Sequence, residues 1–507
     1  MSSIRRQSII SSTIVYSGFA LGFLNTYLFT RNAGGFTAAQ YGLTVIFMSI
    51  ASIMFSVANL GMQAYIYKFY PYYDDHLPPE RNDMMSWVLL IGSAGFMLVV
   101  VAGLIFKNLV IRKFGANSGE LVHYYYWIFP FGFGLTLYSL LESFAWQLKL
   151  SVLTNYLREI QYRLCTLILI ALMYAGLLKS FDLFIKIYSF TYLLTALTLL
   201  LYLVGTRRLH FTFSPSKVTK RFLPKIRSLA LLVWSGGMVY NISFFFAQIV
   251  IAAVVPGGLT DVGIFTLAQY IASIIQAPQR GIISASIAPL SKAWKDKDYA
   301  KINRIYHRSS INQLIFSVGI FILIWINFTD GVITFHLKPD YFAARYIFLF
   351  IGLTRIVDMG TGVNTQIIGT STFWRFDFLT GIILIALTLP FNYLLAKRMG
   401  MVGPAIADLI TFTIYNGIRY LFLYRKFGMQ PFTVRTLYAL LLGLGGYAVC
   451  HFWLLDLHGY AGMILRSAVF IAIYAGGILA LRVSEDVLPV WRTIRKRLGI
   501  GGPQAGR

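Results

Sequence analysis

Arg280 is the residue whose type and surroundings most strongly suggest chemistry, because it is a fixed positive charge inside an apolar segment. It is preceded by Gln276, Pro278 and Gln279. A guanidinium group can bind two oxygens of a diphosphate at once and stays charged. Pro278 can open a break in a helix, and the two glutamines add polar groups for a substrate. The alternative role of Arg280 is a structural ion pair with an acid on a neighbouring helix.

Arg355 and Asp358 form a second candidate site, since residues three apart share a helix face. One interpretation is a self-neutralising pair that lowers the cost of burying two charges. In the other, Asp358 holds Arg355 until a substrate phosphate competes, and Asp358 is the candidate for coupling to protons or sodium. Asn364, in the polar stretch that follows, is assigned to substrate binding. Asp408 and Arg419 lie about 16 Å apart along a helix, so structural roles are favoured for both.

The first half of the chain offers amides rather than charges. Asn25, Asn59 and Gln63 lie in apolar stretches, and Asn59 and Gln63 are four residues apart on one helix face. Amides suit the hydroxyl groups of a sugar, so all three are assigned to substrate binding. Amides also hold membrane helices together, and this alternative stays open.

Membrane-spanning helices must position these residues. Hydrophobic residues make up 57% of the 507-residue chain and charged residues 12%, too few charges to cover a soluble protein. The composition excludes a soluble enzyme, a disordered protein, a collagen-like fibre and a disulfide scaffold. Because a helix needs about 20 apolar residues to cross a bilayer, about 14 continuous apolar stretches predict spans at 9–29, 41–66, 84–106, 121–147, 157–178, 183–205, 229–254, 262–290, 310–328, 344–369, 374–396, 401–424, 434–455 and 461–482.

The net charge of +25 indicates orientation rather than nucleic-acid binding, because the basic residues cluster between the apolar runs. Cytoplasmic loops of membrane proteins are enriched in Lys and Arg. Placing both termini in the cytoplasm puts the basic loops 206–228 and 291–309 and the basic tail 483–507 on that side. The prediction is a multi-pass protein of the cytoplasmic (inner) membrane.

The sequence also contains an internal repeat. Ile50-Ala51-Ser52-Ile53 recurs as Ile271-Ala272-Ser273-Ile274, and the same offset of 221 residues pairs Gly42 with Gly263. Such repeats are frequent in transporters. The offset spans six predicted helices, so the repeat predicts a six-helix lobe over 1–205, a linker at 206–228 and a second six-helix lobe over 229–424. Two additional helices occupy 434–482.

Several motifs carry a resemblance to a family over about residues 1–430. They are Thr30-Arg31-Asn32-Ala33-Gly34-Gly35 with Gln40-Tyr41-Gly42-Leu43, Ala58-Asn59-Leu60-Gly61-Met62, the segment 263–299, and Gly400-Met401-Val402-Gly403-Pro404-Ala405-Ile406-Ala407. Together they resemble the polysaccharide exporters, or Wzx-type oligosaccharide flippases, of the MOP superfamily. The chain departs from that pattern at Thr30, where the family has Ala, and at Asn59, where it has an acid.

The resemblance implies an all-α fold with two six-helix lobes around a central cavity. It implies a flippase that moves a polyprenyl-diphosphate-linked oligosaccharide across the cytoplasmic membrane for cell-surface polysaccharide, such as lipopolysaccharide, by alternating access of the lobes. The implied partners are the lipid-linked substrate, the bilayer, a polysaccharide polymerase and glycosyltransferases, with no nucleic acid.

Two other functions remain open from the sequence. One is a cation-coupled drug exporter like those of the MATE family, and the other is a membrane-embedded polysaccharide polymerase or ligase. No phosphate-binding lysine loop of the Walker type is present, and the histidines lack metal-ligand spacing. The chain is therefore expected to be no enzyme and to need no metal or cofactor.

Overall fold

The computed structural model describes residues 3–454 and 456–486. The basic tail predicted for 483–507 lies, from residue 487 onward, outside the described residues. Within the described part all regular structure is helical and no strand occurs. The chain divides into two compact units, 1–266 and 267–507. The lobe boundaries expected from the repeat stay a prediction.

The described residues of the first unit form twelve helices and the start of a thirteenth. Some predicted spans are filled by two or more short helices that follow one another. Their bounds are α1 Ser3–Thr30, α2 Ala38–Ala58, α3 Met62–His76, α4 Met84–Ile105, α5 Lys107–Phe114, α6 Gly119–His123, α7 Ile128–Gln147, α8 Ser151–Asn155, α9 Tyr162–Tyr174, α10 Phe181–Tyr188, α11 Thr191–Gly205, α12 Lys217–Val254 and α13 Gly258–Ser273. A π-helical turn, Tyr156–Gln161, joins α8 to α9.

The second unit begins within α13, and its described residues form eight further helices. Short 3₁₀ turns at Pro339–Ala343 and Gly400–Val402 directly precede two of these helices. The helix bounds are α14 Gln279–Lys295, α15 Tyr299–Thr334, α16 Ala344–Gly360, α17 Asn364–Gly369, α18 Trp374–Met399, α19 Gly403–Phe427, α20 Val434–Leu454 and α21 Gly459–Ala480.

The predicted all-α membrane fold is confirmed. Each of the 14 predicted spans holds helix, and nine described helical segments are long and apolar enough to cross a membrane. One of these segments, 375–427, contains both α18 and α19. The chain is thus a multi-pass membrane protein.

Several predicted spans are interrupted rather than continuous, and three of these interruptions lie beside the candidate residues. Span 41–66 breaks between α2 and α3, where Leu60 and Gly61 have positive φ angles, a conformation that ends a helix. Span 262–290 breaks after Ser273, and a tight turn closed by i→i+3 hydrogen bonds leads into α14 at Gln279. The predicted effect of Pro278 is therefore confirmed. Span 344–369 breaks between α16 and α17.

The two glycines that the repeat pairs are in contact with each other. A Cβ atom added to Gly42 would overlap the carbonyl oxygen of Leu259, and one added to Gly263 would lie 2.5 Å from the carbonyl oxygen of Ala38. Leu259 is also the residue that the offset of 221 assigns to Ala38. The contact is therefore reciprocal, and only glycine lets the backbones of α2 and α13 approach this closely.

The helices α20 and α21 pack on α15 through a buried ion pair. Arg466, which is 2% exposed, bonds through its guanidinium to Asp330 of α15 and donates from Nε to the side-chain oxygen of Asn327 at 3.3 Å. His458 contacts the same carboxylate at 3.1 Å. A charge buried without a partner would be costly, so this pairing fixes where the additional helices attach.

Candidate functional site

Asp358, the predicted ion-coupling residue, accepts hydrogen bonds at both carboxylate oxygens. The amide of Gln279, at the start of α14, donates to one oxygen at 3.0 Å. The amide of Asn416, in the middle of α19, donates to the other at 3.2 Å. The break at Pro278 places Gln279 where it can reach α16. Two predicted site residues, Gln279 and Asp358, are thus brought together by three helices.

Asn364 belongs to the same polar cluster. Its amide donates to the side-chain oxygen of Asn416 at 2.9 Å, and the Thr361 hydroxyl donates to that oxygen at 3.0 Å. Asn364, Asn416 and Thr361 are all buried. The break between α16 and α17 positions Thr361 and Asn364 toward α19. We call Gln279, Asp358, Thr361, Asn364 and Asn416 the acid–amide cluster.

Arg355 does not form the direct pair with Asp358 that their spacing suggested. No carboxylate of the described residues lies within 4.0 Å of its guanidinium, and its buried Nε atom lacks a hydrogen-bond partner there. The oxygens of Asp358 are instead occupied by amides from other helices. Asp358 and Asp408 both act on Arg355 electrostatically. Asp408 itself is contacted by the amide of Asn392 at 3.5 Å.

Arg280 and Gln276 flank the same break. Gln276 lies in the turn before α14, and Arg280 is the second residue of that helix. The Arg280 side chain is exposed and forms no ion pair with a described residue. The structural alternative for Arg280, a pair with a neighbouring acid, therefore finds no support within the described part of the chain.

Arg419 has a structural role, through partners that the sequence did not indicate. Although 1% exposed, it bonds to the carboxylate of Asp377 and the hydroxyl of Thr365, and its Nε donates to Thr380 at 3.0 Å. Its guanidinium also lies 4.0 Å from the ring centroid of Tyr415. All its polar groups are used within the unit, so Arg419 is not available to a ligand.

The amides of the first unit take part in helix packing. Asn25 donates to the carbonyl of Arg163 at 2.9 Å, linking α1 to α9. Gln63 donates to the hydroxyl of Ser143 at 2.8 Å, linking α3 to α7. Asn59 follows α2 and accepts from the backbone N–H of Gln63 at 3.1 Å. The contacts of Asn25 and Gln63 favour the structural alternative for these two residues, whereas the Asn59 contact is local. The assignment of all three to a substrate stays a prediction.

Comparison with known proteins shows the fold. No protein-family model matches the sequence, and no curated protein matches it either. Among solved structures, the inward closed conformation of the lipid II flippase MurJ superposes with a TM-score of 0.69 at 15% identity, covering 94% of this chain and 99% of the flippase.

Transporters of the MATE family have the same fold over a shorter length. A multidrug resistance MATE transporter of the MOP superfamily matches in its inward-facing conformation with a TM-score of 0.62 at 15% identity, covering 82% of this chain and 96% of the transporter. An outward-facing MATE structure matches with a TM-score of 0.52 at 14% identity, covering 82% of this chain and 94% of the other. The chain therefore has the fold that the lipid II flippase MurJ and these MATE transporters share.

Proposed function

We propose that this chain is a flippase that moves a polyprenyl-diphosphate-linked oligosaccharide across the cytoplasmic membrane by alternating access of two lobes. The extent of the structural match supports this function. The lipid II flippase covers 94% of the chain, whereas the MATE transporters cover 82%. The resemblance of the motifs to oligosaccharide flippases points to the same branch. Both termini are proposed to lie in the cytoplasm, and a polymerase would consume the product.

Arg355 and Arg280 are the proposed diphosphate ligands. Each is a cation without an ion pair among the described residues, so each can offer its guanidinium fork to phosphate oxygens. Asp358 and Asp408 offset the charge of Arg355 while no substrate is bound. Gln276, Gln279 and Asn364 would then donate to or accept from sugar hydroxyls beside the diphosphate.

Asp358 is the proposed coupling residue. Its carboxylate is surrounded by amide side chains rather than by a cation at ion-pair distance. Binding of a proton or a sodium ion there would neutralise Asp358 and weaken its hold on the charge of Arg355. The affinity of Arg355 for phosphate would rise as a consequence.

A cation-coupled exporter of the MATE type is the second candidate. It is favoured by the two acids, Asp358 and Asp408, that act on a single arginine in the second unit. In such an exporter the acids themselves would bind a cationic substrate, and a diphosphate lipid would not be moved.

Proteoliposomes that contain the purified full chain can separate the two functions. One assay follows the loss of a fluorescent polyprenyl-diphosphate oligosaccharide from the outer leaflet of the vesicles. A second assay, run in parallel, follows the uptake of the cationic dye ethidium. We expect movement of the lipid only, nearly abolished by Arg280→Ala and by Arg355→Gln and partly retained by Arg280→Lys. Lys292→Ala, an exposed charge on the same helix as Arg280, is the matched control and should transport normally. Dye uptake without lipid movement would overturn the proposal.

A further inference from the structure

A cavity of about 520 Å³ lies in the second unit, at the basic end of α15 and apart from the acid–amide cluster. Its walls come from three segments: the first turns of α15, the connection that leads into α20, and the residues that follow α21. Arg304 and Arg308 of α15 line it together with Arg435 of α20. Such basic pockets between membrane helices suit anionic headgroups.

The arginines differ in how far they are already neutralised. Arg308 donates from Nε to Asp486 at 3.0 Å and also bonds through Nη2, so its charge is used. Arg435 lies 3.7 Å from Glu485 in an exposed pair, which contributes little. Arg304 is exposed and forms no ion pair with a described residue. Two guanidinium groups, Arg304 and Arg435, therefore remain available for an anion.

Asn303 adds a second and independent requirement for a ligand. It lines the same cavity, and its side-chain oxygen is buried without a hydrogen-bond partner among the described residues. Leaving a buried acceptor unpaired costs about 1–3 kcal/mol. A ligand that carries hydroxyl donors as well as negative charge would give Asn303 a partner once its amide group turns toward the cavity.

The level of the cavity along α15 indicates where such a ligand comes from. The helix has 36 residues and is about 54 Å long, so it extends well beyond a bilayer core of about 30 Å. The cavity lies at the transition, because its lining runs from Arg304 and Arg308 to the apolar Ile311 and Val483. A molecule with a charged head and an apolar tail fits this order.

We propose that this cavity binds the glycerol-phosphate headgroup of an anionic membrane lipid. Arg304 and Arg435 bind the phosphate oxygens, and a glycerol hydroxyl donates to Asn303. Because the walls belong to α15, to the start of α20 and to the segment after α21, the bound lipid stabilises the attachment of the two additional helices. This site is independent of the proposed transport function.

The test uses the purified full chain in detergent, titrated with short-chain phosphatidylglycerol and, in parallel, with phosphatidylcholine. We expect phosphatidylglycerol alone to raise the thermal unfolding midpoint. The double variant Arg304→Gln/Arg435→Gln should bind it about 30-fold more weakly, since each basic residue contributes roughly a factor of five to anionic-lipid binding. Lys292→Gln/Lys301→Gln removes the same charge from exposed positions that do not line the cavity and should change binding by less than about twofold.

The other possible outcomes show whether the bound phosphate belongs to a membrane lipid or to a soluble molecule. A further variant covers the case in which the double variant misfolds. Equal losses in the two double variants, or equal stabilisation by both lipids, would overturn the proposal. Stabilisation by glycerol 3-phosphate as strong as by the lipid would keep the phosphate site and overturn the membrane as its source. Should the double variant fold poorly, Arg304→Gln alone carries the test, because it removes no ion pair that the structure shows.

Discussion

Replacing Asp377 should destabilise the protein more than replacing its buried partner Arg419. The two residues form an ion pair in which the Asp377 side chain is 31% exposed and the Arg419 side chain is 2% exposed. Asp377 lies in the first turn of α18, at the end of the helix. Asp377→Asn leaves the Arg419 charge buried without a counter-charge. Arg419→Met leaves a carboxylate that can still be hydrated at the helix end.

The magnitudes follow from what each variant leaves behind. Asp377→Asn should cost about 3 kcal/mol, because the Arg419 charge stays buried without a counter-charge. This cost is at the lower end of the range for a broken buried ion pair, since the amide oxygen of the new Asn can still accept a hydrogen bond. In Arg419→Met the hydroxyls of Thr365 and Thr380 keep their own acceptors, so the loss should be about 1–2 kcal/mol. The double variant should resemble Arg419→Met and recover part of the loss.

Thermal unfolding in one detergent, followed by tryptophan fluorescence, ranks the variants. The expected order of midpoints is wild type, then Arg419→Met together with the double variant, then Asp377→Asn. Asp182→Asn is the matched control: its partner Lys186 lies 2.6 Å away in an exposed pair, so the change should cost less than about 0.5 kcal/mol. A double variant as unstable as the sum of the single variants would refute the reasoning.

Two further predictions concern packing and pH. Gly42→Ala should reduce the free energy of unfolding by about 1–3 kcal/mol or more, because the new methyl group meets backbone atoms, and it should therefore lower the yield of folded protein and its unfolding midpoint. Gly236→Ala, where a Cβ atom meets open space, should lower neither. Equal behaviour of the two variants would contradict the contact. Hydrogen bonds from Arg308 lower the pKa of Asp486 below its ordinary value of 3.8. The stabilisation that Asp486 provides is present above pH 3.8 and is lost as the pH falls through the lowered pKa. The unfolding midpoints of wild type and Asp486→Asn should therefore differ at pH 7, and the difference should shrink as the pH falls below 3.8.

The sequence predicted the helices and the break at Pro278 better than the partners of the polar side chains. Apolar runs of about 20 residues and Pro278 depend on local chemistry, which can be seen along the chain. The spacing of Arg355 and Asp358 correctly put both on α16. It could not show that the Asp358 carboxylate contacts the amides of Gln279 and Asn416 rather than Arg355. Helical periodicity gives the face of a side chain, whereas its partner depends on which helices pack together.

Asp377 and Asn416 are the main residues that sequence reasoning missed. Asp377 lies near the start of the predicted span 374–396, and its partner Arg419 is 42 residues away. Asn416 lies three residues before Arg419, so an amide and a cation close together in an apolar stretch were a usable signal. Asn25 and Gln63 show the converse, since amides at membrane depth bond to neighbouring helices as readily as to a sugar.

The reciprocal contact of Gly42 and Gly263 has a genetic consequence. In a half-length ancestor that paired with a second copy of itself, one codon would supply both sides of such a contact, and one change would damage both at once. Duplication and fusion give each side its own codon, so the two positions can mutate separately. Each glycine still faces the backbone of the opposite helix, and a larger side chain at either position would disrupt the same helix contact. A fusion of this kind would double the number of codons in which a change damages the contact, while both glycines would stay equally constrained.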